Sequence, residues 1–197
     1  MKRVERFMLL TFLVLLFAVV RPTAQGLPHE GHDHEVGKFP RLQLAQASAN
    51  PGKAVILQLA FECAKFQGDC GKVKVIKPPR AQERLWLQGT GVSPEKALRG
   101  DVVKDGVFRL EPGTFVYAKI AYVNDTNAEI RFRAIPHFVD PGELQGLALL
   151  NCMCLGETFR VPPGRGWFRV IRVGAARDVP PGSRFKATHI LTSDGLE

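Results

Sequence analysis

From Pro51 onward, turn signals at regular spacing divide the chain into short segments, most of which read as strands. The breaks stand at Asn124-Asp125-Thr126-Asn127, Asp140-Pro141-Gly142, Pro162-Pro163-Gly164 and Pro180-Pro181-Gly182. Proline fixes its own φ and lacks an N–H, and glycine opens positive φ, so such clusters end regular structure. Between the breaks lie Ala54 to Phe61, Lys72 to Lys77, Phe115 to Val123, Glu129 to Phe138, Trp167 to Val173 and Phe185 to Leu191. Several alternate with period two; Ile130, Phe132 and Ala134, for instance, stand against Arg131 and Arg133. That is the mark of a strand with one buried face. Leu85-Trp86-Leu87 reads as a further short strand, and Gly146 to Leu155 as a mostly apolar one. Cys63 and Cys70 bracket a stretch holding Gly68 and Asp69, which reads as a hairpin connection. Ser93 to Leu98 is expected to form one helical turn, with Ser93 as cap and Pro94 at the first position. No helix-period segment of useful length occurs outside the N-terminal run. The expected fold class is all-β, a β-sandwich over residues 51–197.

The N-terminus has a different grammar. Lys2, Arg3 and Arg6 precede Phe7 to Val20, a run of 14 residues that is apolar except for Thr11. Arg21 and Pro22 close it, and the small residues Ala24 and Gly26 follow. This is the pattern of an export signal. A spanning helix needs about 20 apolar residues, so the run is short for a permanent anchor. Residues 1–26 are therefore read as a signal peptide, with a short membrane anchor as the alternative. Their removal lowers the net charge from +8 to +5, since the segment carries four Lys/Arg and one acidic residue. The remaining positive charge is scattered, without a Lys/Arg cluster interleaved with aromatics, which argues against nucleic acid as a partner.

Residues 27–50 lack periodicity and read as a flexible linker containing His29-Glu30-Gly31-His32-Asp33-His34. Imidazoles in a short tract bind Cu(II), Ni(II) or Zn(II), so His29, His32 and His34 are candidate metal ligands. A solvated polar tail is the plainer reading. His137 and His189 fall on expected strands and read as structural residues, with an approach of either to the Cys152-Met153-Cys154 pair as the alternative.

All four cysteines lie beyond the signal, in a chain bound for an oxidising compartment. In Cys152-Met153-Cys154, strand geometry would set both sulfurs on one face with Cα atoms about 6.5–7 Å apart. That is the edge of disulfide range, with unsuitable side-chain vectors. The pair is better placed to hold one soft ion. Zinc asks for four ligands in a closed site, whereas Cu(I) accepts fewer and suits thiolates. On a strand Met153 would face away and is not counted as a ligand; in a tight loop that exclusion lapses. Alternatively, Cys152 and Cys154 each pair with Cys63 and Cys70 to staple two sheets. Cys63 and Cys70 bonded to each other, or serving as a second thiol pair for metal, are the other arrangements.

From about Phe108 to Thr192 the chain resembles the CtaG-type cytochrome c oxidase copper-assembly proteins. The resemblance rests on Ala121-Tyr122-Val123-Asn124-Asp125, then Val139-Asp140-Pro141, then Cys152-Met153-Cys154-Leu155, with Glu157 and Pro163-Gly164 after it. Met153 and Leu155 stand where that family carries Phe. The resemblance implies an immunoglobulin-like β-sandwich outside the cytoplasm, on the periplasmic side of the inner membrane. It implies a Cu(I) site at Cys152 and Cys154, a homodimer, and a copper-requiring client such as cytochrome c oxidase. Membrane association follows if the N-terminal run is retained.

No Gly-x-Ser-x-Gly, His-Glu-x-x-His, phosphate-cradling or dinucleotide motif is present, and the chain is not expected to be an enzyme. The leading expectation is an exported Cu(I) chaperone or assembly factor. Its competitors are a secreted β-sandwich interaction module held by two disulfides, and a periplasmic metal buffer using the histidine tail.

Overall fold

In a computed structural model of the chain, the structure describes residues 43–44, 52–151, 153 and 156–193. They fall within one unit, Val36–Glu197. In chain order the strands are β1 (Gln43–Leu44), β2 (Val55–Ala64), β3 (Lys74–Lys77), β4 (Gln88–Val92), β5 (Asp101–Val102) and β6 (Val107–Leu110). Then follow β7 (Thr114–Val123), β8 (Ile130–Asp140), β9 (Ala148–Leu150), β10 (Phe159–Val161), β11 (Gly166–Ala175) and β12 (Arg184–Thr192). One short helix, α1 (Pro94–Leu98), lies between β4 and β5.

The strands form two sheets. One runs β4-β11-β7-β3-β5, with β1 beside β7 and β9 beside β11; the other runs β10-β8-β12-β2-β6. Alternate residues of both sheets share one core. Leu57, Leu59 and Phe132 from one sheet meet Ile120, Tyr122, Trp167 and Ile171 from the other, all nearly free of solvent. The expected all-β sandwich is the observed fold, and its two-sheet form is consistent with an immunoglobulin-like arrangement. Burial of these side chains contributes roughly 1.5–3 kcal/mol each and is the main force holding the sheets together.

The local signals of the helix are realised. Ser93 Oγ accepts a hydrogen bond from the Lys96 N–H at 3.3 Å, and Pro94 occupies the first turn. The helix rests on β11 at Gly166, where an added Cβ would collide with Ala97 Cβ. Beneath it Lys119 is buried, and its Nζ donates to the carbonyls of Lys96 and Arg99 at the helix end. Gln82 Oε1 accepts from the same amine at 3.2 Å. Burial, and secondarily the charge of Arg99, pushes the Lys119 pKa down to about 8.

Three expectations are corrected. The Cys63–Cys70 stretch is not a hairpin connection: β2 and β3 belong to different sheets, so it crosses between them. Leu85 and Trp86 form a turn, with Trp86 at φ 63°, and β4 starts only at Gln88. Among the described residues, the expected strand Gly146 to Leu155 is regular only over Ala148–Leu150. Its partner, β11, is taken up on that side by β9 at residues 173–175 and by β4 at residues 166–169.

Candidate metal site

The chain passes from one sheet to the other between β9 and β10, and the Cys-Met-Cys motif lies on this crossover. Its described residues are fastened at both ends. The Asn151 N–H donates to the Arg172 carbonyl at 3.1 Å. The Glu157 carboxylate accepts from Arg169 Nη1 at 2.6 Å and from Gln88 Nε2 at 3.0 Å. Arg169 is itself nearly buried, with its guanidinium over the rings of Trp86 at 4.8 Å and Phe159 at 5.6 Å. Between these anchors Met153 is fully buried in the core, in a bend and not in a strand. The alternation argument that turned Met153 away from its neighbours therefore does not apply. Cys152 and Cys154 lie outside the described residues, as do His29, His32, His34 and the signal-like run.

Cys63 and Cys70 are bonded to each other, with Cα atoms 5.9 Å apart. The arrangement in which they pair with Cys152 and Cys154 is thereby excluded, as is their use as a second thiol pair. The bond closes a loop that sets half-buried Phe66 against the core, edge-on to Tyr122 at 5.4 Å and to Phe132 at 5.5 Å.

The structure also brings together two histidines that the sequence left apart. On β12, Phe185, Ala187, His189 and Leu191 share the inward parity. On β8, Ile130, Phe132 and Ala134 point inward, and strict alternation would send His137 outward. The ladder, however, pairs Thr188 with Phe138 and Ile190 with Ile135. His189 alone thus opposes both Pro136 and His137, a β-bulge of one extra residue. A proline has no N–H to give the ladder, so the bulge sits where pairing is already broken. The parity of β8 is inverted beyond it: Val139 is buried and Phe138 exposed. His137 then lies beside His189, with ring centroids 5.0 Å apart and planes inclined at 40°. Phe61 of β2 stacks on the other side of His189 at 5.9 Å. His189 is 0% exposed, and neither ring nitrogen has a hydrogen-bond partner. Burial first, and the charge of His137 second, push its pKa down to about 3, so the ring is neutral at physiological pH. The only sequence hint of this pairing is Pro136 within an otherwise alternating strand.

Among the described residues no group of three or more His, Cys, Asp or Glu side chains is disposed to hold a metal, and no helix is long and apolar enough to cross a membrane.

Fold and disulfide together define an all-β sandwich protein with an internally bridged inter-sheet loop. Residues 56–193 match a family described as Domain of unknown function (DUF8709), and the chain belongs to that family. No curated protein and no solved structure matches it.

Proposed function

We propose that this chain is an exported Cu(I)-binding chaperone or assembly factor, with Cys152 and Cys154 as the thiolates that carry the ion to a copper-requiring client. One observation supports this most directly. With Cys63 and Cys70 bonded to each other, Cys152 and Cys154 are the two cysteines left over. Spaced as i and i+2, they form a thiol pair of the kind that suits a soft ion. The copper is cargo, received and surrendered by ligand exchange, so no catalytic residue is assigned. A disulfide in the sandwich and the signal-like run both favour an extracytoplasmic location, periplasmic if the host has one. The resemblance of residues 108–192 to CtaG-type proteins points to cytochrome c oxidase as the client class, and to a dimer as the working form. His29, His32 and His34 would capture or buffer metal ahead of the thiolate pair.

Anaerobic titration of the chain with Cu(I) against a strong competing chelator tests this reading. About one copper per chain, or per Cys pair in a dimer, is expected, with the ultraviolet charge-transfer band of a thiolate–Cu(I) bond. Cys152→Ser with Cys154→Ser should remove both the band and the tight binding while the far-ultraviolet spectrum of the sandwich persists. A parent chain without titratable thiols and without the band would leave a disulfide-held interaction module. Loss of metal on deleting residues 27–37, with the cysteines intact, would leave a histidine-tail buffer.

A further inference from the structure

We propose that a groove on the outer face of the second sheet is a binding site for a phosphoryl group, held by Arg109, Arg184 and Lys186. The groove is open, has a volume of about 430 Å³ and runs across the sheet from β6 to the end of β8. That is the size of a small-ligand site and more than a bare ion fills, so the phosphoryl group would carry an organic substituent. The register of the sheet assembles the groove. Ile56 on β2 is paired with Arg109 of β6 on one side and with Arg184 of β12 on the other. In the next row Gln58 stands between Val107 and Lys186, and Lys186 is in turn opposite Asp140. Val55, Leu57, Phe108 and Leu110 take the inward positions, which sends Ile56, Gln58, Val107 and Arg109 outward. Strands lie about 4.8 Å apart, so the two arginines start about 10 Å from each other, and Lys186 stands about 6.5–7 Å along its strand from Arg184. All three long side chains can reach one point above Ile56.

Charge chooses the ligand. Three cations and one carboxylate, that of Asp140, line the groove, which leaves it a net charge of +2. Among the described residues none of the three cations is joined to a carboxylate, whereas Lys72, Arg131 and Arg169 have Asp125, Glu129 and Glu157. Like charges gathered on one face of a sheet repel one another, and an anion between them removes that repulsion. A carboxylate is met by a single guanidinium fork. A phosphoryl group carries up to about two negative charges and offers oxygens in several directions. Two forks and an ammonium around one point therefore fit the phosphoryl group. Ile56 forms the floor between the arginines, and Val107, 37% exposed, forms the wall toward β6. These two apolar side chains would carry the organic part of a phosphate ester. Gln58 is held in place beside them, its Nε2 donating to the Asp105 carbonyl at 3.1 Å.

The groove uses none of the cysteines and none of the histidines, so it stands or falls separately from copper binding. The full chain is titrated with glycerol phosphate and with inorganic phosphate at fixed ionic strength, and the backbone amides of Ile56, Gln58, Arg184 and Lys186 are followed by NMR. Saturable shifts at these amides are expected with both probes. Arg109→Gln, Arg184→Gln and Lys186→Gln combined should weaken binding about tenfold or more, because the charge-assisted hydrogen bonds are lost. Arg80→Gln, Arg160→Gln and Arg165→Gln combined remove the same charge from exposed positions elsewhere. That control should leave the affinity within about twofold of the parent, since distant surface charges are screened. All six side chains lie outside the core, so both variants keep the fold. Vesicles of phosphatidylglycerol in phosphatidylcholine that displace glycerol phosphate from the groove would identify a lipid headgroup as the ligand. Vesicles that leave its binding unchanged would identify a soluble phosphate ester. Amides that do not shift, or a control weakened as much as the groove variant, would overturn the site and leave three solvated cations.

Discussion

At the residue scale, two buried polar side chains show how much depends on partners. Asn124 is fully buried and fully engaged. Its Nδ2 donates to the carbonyls of Ala128 at 2.7 Å and Val161 at 2.8 Å, and its Oδ1 accepts from the Thr126 N–H at 2.9 Å. Asn124→Ala strands a backbone donor and two acceptors, and urea denaturation should show a loss of about 2–4 kcal/mol. His189 is the opposite case, buried with no hydrogen-bond partner. Its pKa falls from 6.5 in the unfolded chain to about 3 in the folded one. Between those values the unfolded state binds the extra proton, so the contribution of His189 is complete above pH 6.5 and is lost as pH falls toward 3. The metal-free protein should therefore lose stability on acidification, by at most about 1.4 kcal/mol per pH unit from this group. His189→Leu should flatten the denaturation free energy over that window relative to the parent. Equal slopes in the two proteins would mean that the imidazole is solvated.

Among elements, the inter-sheet loop closed by Cys63–Cys70 does the work that a strand pair does elsewhere. The bond restricts the unfolded chain and holds Phe66 against Tyr122 and Phe132. Cys63→Ser with Cys70→Ser should lower stability by about 2–3 kcal/mol in chemical denaturation, the magnitude expected for so short a closed loop. The element scale is also where the sequence was most legible. Period-two alternation and the proline–glycine breaks located β2, β7, β8, β11 and β12, and the Ser93-Pro94 cap located α1. Pairing partners were not legible, because they depend on residues far apart in the chain. Cys63 and Cys70 looked like hairpin ends because local turn signals do not say to which sheet the next strand goes. Of the candidate site, the Cys-Met-Cys motif was legible as residues. The histidine pair was not, because one bulged residue reverses the facing of every side chain after it.

For the whole molecule, the sandwich is a frame in which segments distant in sequence meet. β12 lies between β8 and β2, and its pairing with β2 is parallel, Phe185 beside Leu57 and Leu191 beside Cys63. The first long strand of the sandwich has β6 on one side and finds its other neighbour only in β12. Contacts of such long separation form slowly, because the closure of a long loop precedes any gain from them. A chain ended before Arg184 is expected to show no cooperative unfolding transition, since β2 and β8 would face each other across a missing strand; a sharp transition in that truncation would refute the dependence. During synthesis, β2 lacks this parallel neighbour until β12 has left the ribosome. A translocation machinery that accepts only threadable substrates would meet this sheet still unassembled throughout that interval.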